Sequence, residues 1–526
     1  MVAASELPID TSATAMEMAN EIMGDGVTVV SASYTGDNRS SGIFTDGDTV
    51  SPGVTPSDTG VMFSTGRLSR FTNSWGDSNH NSNTTSSSNG PNNEAGFNAL
   101  AGTNTYDASY IDIDFIPTGD TMTLTFVFAS EEYPEWTNSI YTDAVGVWSN
   151  GTEVELAVGN GDTDPGNINA TDTQNLYIDN TGDQYNTEMD GFTVSLTLTI
   201  PVNSGVVNTL RIGIADVSDS SYDSTLIIAG NSGQTVVLAQ DDETHLDPNG
   251  TKILDVLAND STASGGTLTI THINGQAVFA GDTITLNTGQ TVTLNADGTF
   301  TLVGDGDIED FNFTYAVEDS LTAGTDTAFV TVSSVPCFVA GTMIETTSGP
   351  VAVENLVPGD MVLTHDNGVQ PLRWIGQRTV AAEGAYAPIR IAANTFGQHT
   401  DLLVSPQHRI LIHDALAELL FEEAEVLVSA KDLVNDSSVR VVEGGDVTYV
   451  HILFDAHQVV FSAGLATESF LPGPQTADSF EAEIVEEINA LFPELDTDTG
   501  RGYPQAARRI LKGYEARVLM AEGLAA

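Results

Sequence analysis

At 526 residues the chain is long enough for about three or four domains, each with its own core. Its 73 acidic residues against 16 basic ones leave a net charge of −57. That charge repels nucleic acid and anionic membrane and excludes both as partners, while divalent cations and high salt suit it. A single cysteine excludes an intramolecular disulfide, no apolar run reaches transmembrane length, and Met1 to Leu7 carries neither a basic nor an apolar leader region.

Residues 1–232 open with an amphipathic helix candidate, Ala13 to Met23. Alternating strands follow, such as Met122 to Phe128 and Val194 to Ile200, separated by polar turns in the pattern of an all-β sandwich. Asn73 to Asn93 is almost all Ser, Asn, Thr and Gly and predicts a long mobile loop. Glu131 and Glu132 are adjacent, so on a strand they would face opposite sides, which favours a structural or Ca²⁺ role over paired-carboxylate catalysis. Three segments carry a resemblance: Phe128-Ala129-Ser130-Glu131-Glu132-Tyr133-Pro134-Glu135, Asp143-Ala144-Val145-Gly146-Val147-Trp148, and Ile214 to Asp223. Over most of the first 230 residues they are similar to the choice-of-anchor family of bacterial surface domains. The resemblance implies a surface setting, with a cell-surface or matrix ligand as a candidate partner, and brings no chemistry with it.

Residues 234–334 form a second β-unit. Leu254 to Asp260, Asn295 to Phe300 and Phe313 to Asp319 resemble one copy of a cadherin-like, immunoglobulin-type repeat. Asp241 and Asp242, Asp255 with Asp260, and Asp305 with Asp307 are candidate Ca²⁺ ligands, because hard cations take clustered oxygens. A solvated acidic face explains the same residues, since neither an EF-hand nor a Gly-Gly-x-Gly-x-Asp repeat is present. Only five basic residues precede Cys337 and eleven follow it, which marks a boundary near residue 335.

Residues 335–475 begin with the one cysteine, in Cys337-Phe338-Val339-Ala340-Gly341-Thr342. Leu356-Val357-Pro358-Gly359-Asp360, Val404-Ser405-Pro406-Gln407-His408 and Phe454-Asp455-Ala456-His457 come after it in that order. In order and spacing these blocks resemble the hedgehog/intein (Hint) family. The resemblance implies a compact all-β domain with Cys337 as nucleophile, Ser405 and His408 as the Ser/Thr-x-x-His pair, His457 at the later His block, and turns at Gly341, Gly359 and Gly464. Chemically, a thiol beside its own preceding carbonyl can attack through a five-membered ring, an N-to-S acyl shift that turns the Pro336–Cys337 amide into a thioester. Amide resonance opposes attack, and a His that gives and takes a proton suits the leaving nitrogen. No cofactor is needed for that step. Two departures stand out. Glu468 and Ser469 occupy the place of the intein His-Asn pair, which argues against splicing, and there is no second cysteine for sterol transfer. Pro336 beside the nucleophile is stiff and opposes the strained geometry. His413 and His451 lack metal-ligand spacing and read as structural.

Residues 476–526 change character, with helical spacing at Phe480, Ile484, Ile488 and Leu491 and again at Ile510, Tyr514 and Val518, predicting helices at 478–492 and 505–520 and a candidate C-terminal secretion signal. The expected fold is mainly β: two β-sandwich domains, a compact all-β Hint domain and a short helical tail. The expected function is an exported bacterial surface protein, secreted without an N-terminal signal peptide, whose Hint domain cleaves itself with the N-terminal region as cis substrate. The competing class is a non-enzymatic adhesion or matrix protein with Ca²⁺-stabilised β domains and an inactive Hint relic.

Overall fold

The computed structural model describes all residues except 1, 138, 140, 155–162, 164, 172, 245, 247–249, 306–310, 333–336, 383–386, 422, 436, 472–491, 493–502, 505, 512–515, 517–518 and 520–526. The fold is mainly β, and the chain divides into two compact units: residues 1–242, 253–301 and 311–331, and residues 243–252, 302–310 and 332–526. Among the described residues no helix is long and apolar enough to cross a membrane.

In the first unit the helix Ala15–Ile22 starts where the sequence carries a capping box: Thr14 accepts from Glu17 N–H and the Glu17 carboxylate reaches back to Thr14. Two sheets form a sandwich. One runs through Ser41–Phe44, Gly60–Ser64, Ser224–Ala229 and Thr121–Ser130; the other runs through Val27–Thr35, Thr105–Pro117, Asn208–Val217 and Ala144–Ser149. Alternation decides what lies between them. Val61, Phe63, Phe126, Phe128, Leu226 and Ile228 from the first meet Val145, Val147, Ile212 and Ile214 from the second in one buried core.

The expected mobile loop has almost no regular structure but is tied down along its length. His80 N–H donates to Glu188 Oε2 (2.9 Å), Ser86 N–H to Asp223 Oδ1 (2.9 Å) and Asn89 N–H to Asp37 Oδ2 (2.9 Å). Its polar residues serve buried acids of the sandwich, which composition alone hides. Glu131 and Glu132 are not on a strand. They lie in the turn after Thr121–Ser130, and both are buried. Farther along, Phe311–Asp319 lies between Thr325–Val332 and Leu268–Ile273, and Phe300, Phe313 and Tyr315 pack edge to face at 5.9 Å.

Two sheets of the second unit position the candidate site. Trp374–Ala381, Asp446–Leu453, Phe338–Val339 and Leu402–Val404 are consecutive in one; Met343–Thr346, Val459–Ser462, Leu465–Glu468, Arg409–His413 and Glu425–Ser429 are consecutive in the other. Gly359 and Gly464 turn with φ of 98° and 91°, the left-handed region that glycine enters without a Cβ penalty.

The tail differs from its expected form. The first expected helix lies outside the described residues apart from Phe492. Of the second, residues 506–511 are not helical: Ile510 bridges to Leu427 in parallel, and Leu427 N–H and Leu511 N–H donate to Arg509 and Leu427 carbonyls (both 2.9 Å). Only Ala516 and Leu519 are helical among the described residues there. The backbone at 509–511 finds partners on the strand Glu425–Ser429, and Ala507 and Ile510 pack beside Leu427 and Val459, so strand-edge pairing overrides helical propensity.

Candidate functional site

Strand register builds the site around Cys337. Phe338 lies opposite Val450 and Val339 opposite Tyr449, so one step back Cys337 meets His451. Cys337 Sγ is 3.4 Å from His451 Nε2. On the other side Phe338 pairs with Val404, which delivers Ser405. Cys337 N–H donates to Ser405 Oγ (2.8 Å), and Ser405 N–H donates back to the Cys337 carbonyl (3.0 Å). The nitrogen held by Ser405 is the leaving nitrogen of the candidate scissile amide. Pro336, its acyl half, lies outside the described residues. Cys337 is buried, and burial pushes its thiol well above the usual range, while the Ser405 hydroxyl and the charge of Arg378 pull the other way.

Ser405 and His408 share a tight turn, closed by His408 N–H donating to the Ser405 carbonyl (3.1 Å). The His408 ring sits edge-on to Phe338, with centroids 4.3 Å apart. It is fully enclosed, and neither ring nitrogen has a hydrogen-bond partner among the described residues. Burial pulls its pKa down to about 4, against the attraction of Glu468, so at neutral pH the ring is uncharged. An orphaned neutral imidazole in the turn that also grips the Cys337 amide can both give and accept a proton.

His457 is engaged elsewhere. Its Nδ1 accepts Ala507 N–H (2.9 Å), so Nε2 carries the proton and donates to the Ser469 carbonyl (3.1 Å), 3.4 Å from Glu468 Oε2. Glu468 is wholly buried and takes two bonds from Arg409, one from its backbone N–H (2.9 Å) and one from its guanidinium (3.0 Å). Burial raises the Glu468 carboxyl, but Arg409 and His457 outweigh it and hold the pKa at about 2. The structure therefore brings Cys337 and Ser405 together with His408 on the same turn, and gives His457 to the Glu468–Arg409 cluster and the tail.

His451, read from the sequence as structural, stands at the thiol. Which strand faces it depends on a pairing across more than a hundred residues.

The candidate Ca²⁺ residues separate. Asp242 Oδ2, both Asp260 oxygens and the Gln240 and Val256 carbonyls lie 3.0 to 3.2 Å from the Tyr315 hydroxyl. Burial pushes the Asp242 carboxyl up to about 8 and Asp260 to about 6. Asp241 accepts Phe329 N–H (3.0 Å), and Asp255 lies close enough to Asp260 to raise its carboxyl further. Asp305 is exposed, and Asp307 lies outside the described residues.

Residues 336–474 match the family profile of the Hint domain, and residues 7–234 match that of the choice-of-anchor L domain. Among solved structures, the gp41-1 intein is 12% identical, covering 26% of this chain and 98% of the intein, with a TM-score of 0.17. The MchDnaB-1 intein is 14% identical, covering 25% and 98%, also with a TM-score of 0.17. No curated protein matches the chain.

Proposed function

From a choice-of-anchor L domain followed by a Hint domain, we propose an exported bacterial surface protein that cleaves its own Pro336–Cys337 bond by an N-to-S acyl shift, without splicing. The observation that carries this reading is the pair of contacts at Cys337, with the amide N–H held by Ser405 Oγ and Sγ facing His451 Nε2. Sγ attacks the carbonyl carbon of Pro336. A C–S bond forms and the C–N bond breaks. The thiol proton passes to His451 Nε2 and ends on the departing nitrogen of Cys337, which becomes an amine. Ser405 fixes the amide plane throughout, and neutral, buried His408 on the same turn offers an N–H. Water, or an external amine or thiol, then takes the acyl group from sulfur. Glu468 and Ser469 stand where splicing needs a His-Asn pair, and the bonds from Arg409 keep Glu468 a structural anion.

The depth of the thiol favours a second reading, an adhesion or matrix protein whose Hint domain is silent, because a thiol pushed up by burial is a poor nucleophile. One experiment separates them. The purified full chain, incubated with dithiothreitol at pH 8, is expected to give fragments that part at Cys337, read by intact mass. Cys337→Ala is expected to give none, and His451→Ala to slow release about 10²- to 10⁴-fold. Equal fragment yields from Cys337→Ala would assign the cut to a protease. No fragments from the wild-type chain would favour the silent domain.

A further inference from the structure

The motifs Asp143-Ala144-Val145 and Ala215-Asp216-Val217 take no part in that chemistry, yet they end in a buried polar layer. Ala144 pairs with Ala215, so Asp143 faces Asp216 one step beyond the regular register. Both extend inward-facing rows: Asp143 continues Val145 and Val147, and Asp216 continues Ile212 and Ile214, all core residues. A bulge in the pairing with Thr105–Pro117, between Ile214 and Asp216, falls just where the acid begins. The facing sheet ends its own inward rows in hydroxyls. Thr65 follows Phe63, Ser130 follows Phe128, and Ser224 precedes Leu226, with Ser224 Oγ donating to Ser130 Oγ (2.8 Å). At one end of the sandwich, two carboxylates on one sheet thus face three hydroxyls on the other, where a further apolar layer would be expected.

Both acids are closed off, at 1% and 4% exposure. Asp143 Oδ1 accepts Val217 N–H (3.1 Å), but Asp143 Oδ2 and Asp216 Oδ1 have no partner, and no basic side chain pairs with either acid among the described residues. The surrounding groups are acidic too: Glu132, whose Oε2 accepts Asp143 N–H (3.0 Å), Asp219 on the Asp143 side, and Asp223 and Asp107 on the Asp216 side. An unpaired buried carboxylate carries a desolvation penalty of several kcal/mol, so two side by side require something positive between them.

We propose that Asp143 and Asp216 bind a divalent cation of the Ca²⁺ class, with the hydroxyls of Thr65, Ser130 and Ser224 as further oxygen ligands. Two carboxylates neutralise one divalent ion, and an all-oxygen cage of side chains held by strand ends is what Ca²⁺ accepts and Mg²⁺, which keeps its waters, does not. The ion bolts the two sheets together at the end where the Asp223 loop and the Ser86 segment meet, since Ser86 N–H already donates to Asp223 Oδ1 (2.9 Å). The competing explanation is a single proton shared by the two acids.

Equilibrium dialysis of the full chain against radioactive Ca²⁺ decides between them. Asp143→Asn with Asp216→Asn keeps the shape and removes the charge, and it is expected to bind one ion fewer per chain than the wild type. Equal stoichiometry overturns the site. Should the double variant not fold, hydrogen exchange on the wild-type chain gives the answer. Peptides covering 141–149 and 208–217 gain protection in Ca²⁺ over chelator if the ion sits there, and unchanged exchange in both peptides overturns it.

Discussion

Glu468 in the Hint domain and Asp216 in the first sandwich are both shut away from water, and they differ in what faces them. Glu468 has Arg409 on two of its bonds and His457 at 3.4 Å, so its charge is satisfied within the protein. Asp216 has Asp143 beside it and hydroxyls opposite, and one of its oxygens has no partner. The first arrangement pairs its acid with a cation and holds a strand pair together; the second pairs its acid with no basic side chain among the described residues. Burial raises both members of the Asp143–Asp216 pair, whereas Arg409 overrides burial at Glu468. A buried acid is thus read as structure or as a site by its partners, not by its depth.

The largest effect should come from breaking the first arrangement. Arg409→Met keeps the backbone N–H bond but removes the guanidinium, leaves the buried Glu468 without its arginine cation, and is expected to lower the stability of the Hint domain by about 3 to 5 kcal/mol. Adding Glu468→Leu should restore most of it, since an apolar pair of similar volume fills the same space. Urea unfolding followed by hydrogen exchange in peptides 409–413 and 459–468 reports this domain alone. A single variant as stable as the wild type would mean that the Arg409 guanidinium contributes little.

Acid should then move the two regions in opposite directions. In chelator, the Asp143 and Asp216 carboxyls are raised, so the folded state binds more protons than the unfolded chain above about pH 4, and stability falls as pH rises. The negative charge of Asp219 adds to the rise at Asp143, and those of Asp223 and Asp107 add to the rise at Asp216. In the Hint domain the buried ring of His408 is depressed to about 4 from an ordinary 6.5, so its contribution is present above 6.5 and lost as pH falls toward 4. Glu468 adds nothing over that range, because its carboxyl titrates near 2 in the folded state and its contribution goes only below about 4.5. Calorimetry at pH 8 and pH 5 in chelator should therefore show the first sandwich melting later and the Hint domain earlier in acid. Ca²⁺ at pH 8 should reproduce the acid stabilisation of the sandwich, and two transitions that shift in the same direction would contradict the contrast.

The sequence made some of this legible and hid the rest for physical reasons. Cys337, Ser405 and His408 could be placed because two short blocks, each local in sequence, carry them; the turn from Ser405 to His408 needs only four residues. His451 could not, because its meeting with Cys337 depends on the Phe338–Val450 pairing, a long-range choice that alternation does not specify. The Asp143–Asp216 pair was hidden likewise, since Asp143 lies just before one strand and Asp216 within another, and their sum appears only in the register. The tail misled for a different reason: Ile510, Tyr514 and Val518 keep helical spacing, yet Ile510 is drawn onto the Leu427 strand edge. Composition marked Asn73 to Asn93 as loose because a run of Ser and Asn does not reveal that Glu188, Asp223 and Asp37 are waiting for its N–H groups.

The smallest effect tests a neutral contact against these charged ones. Ser405→Ala removes the acceptor of the Cys337 N–H but leaves Ser405 N–H donating to the Cys337 carbonyl, so the strand pairing survives. A buried amide left without a partner costs about 1 to 3 kcal/mol, less than an orphaned charge. The same substitution frees the amide plane that the acyl shift needs fixed, so thiol-induced release should slow even at temperatures where the domain stays folded. Ser405→Thr restores a hydroxyl at the same place and is expected to recover both stability and rate. Urea unfolding and single-turnover release of the three chains, compared side by side, separate the two roles. If Ser405→Ala loses stability and keeps its rate, the hydroxyl serves only the fold, and the hold on the leaving nitrogen belongs to another group.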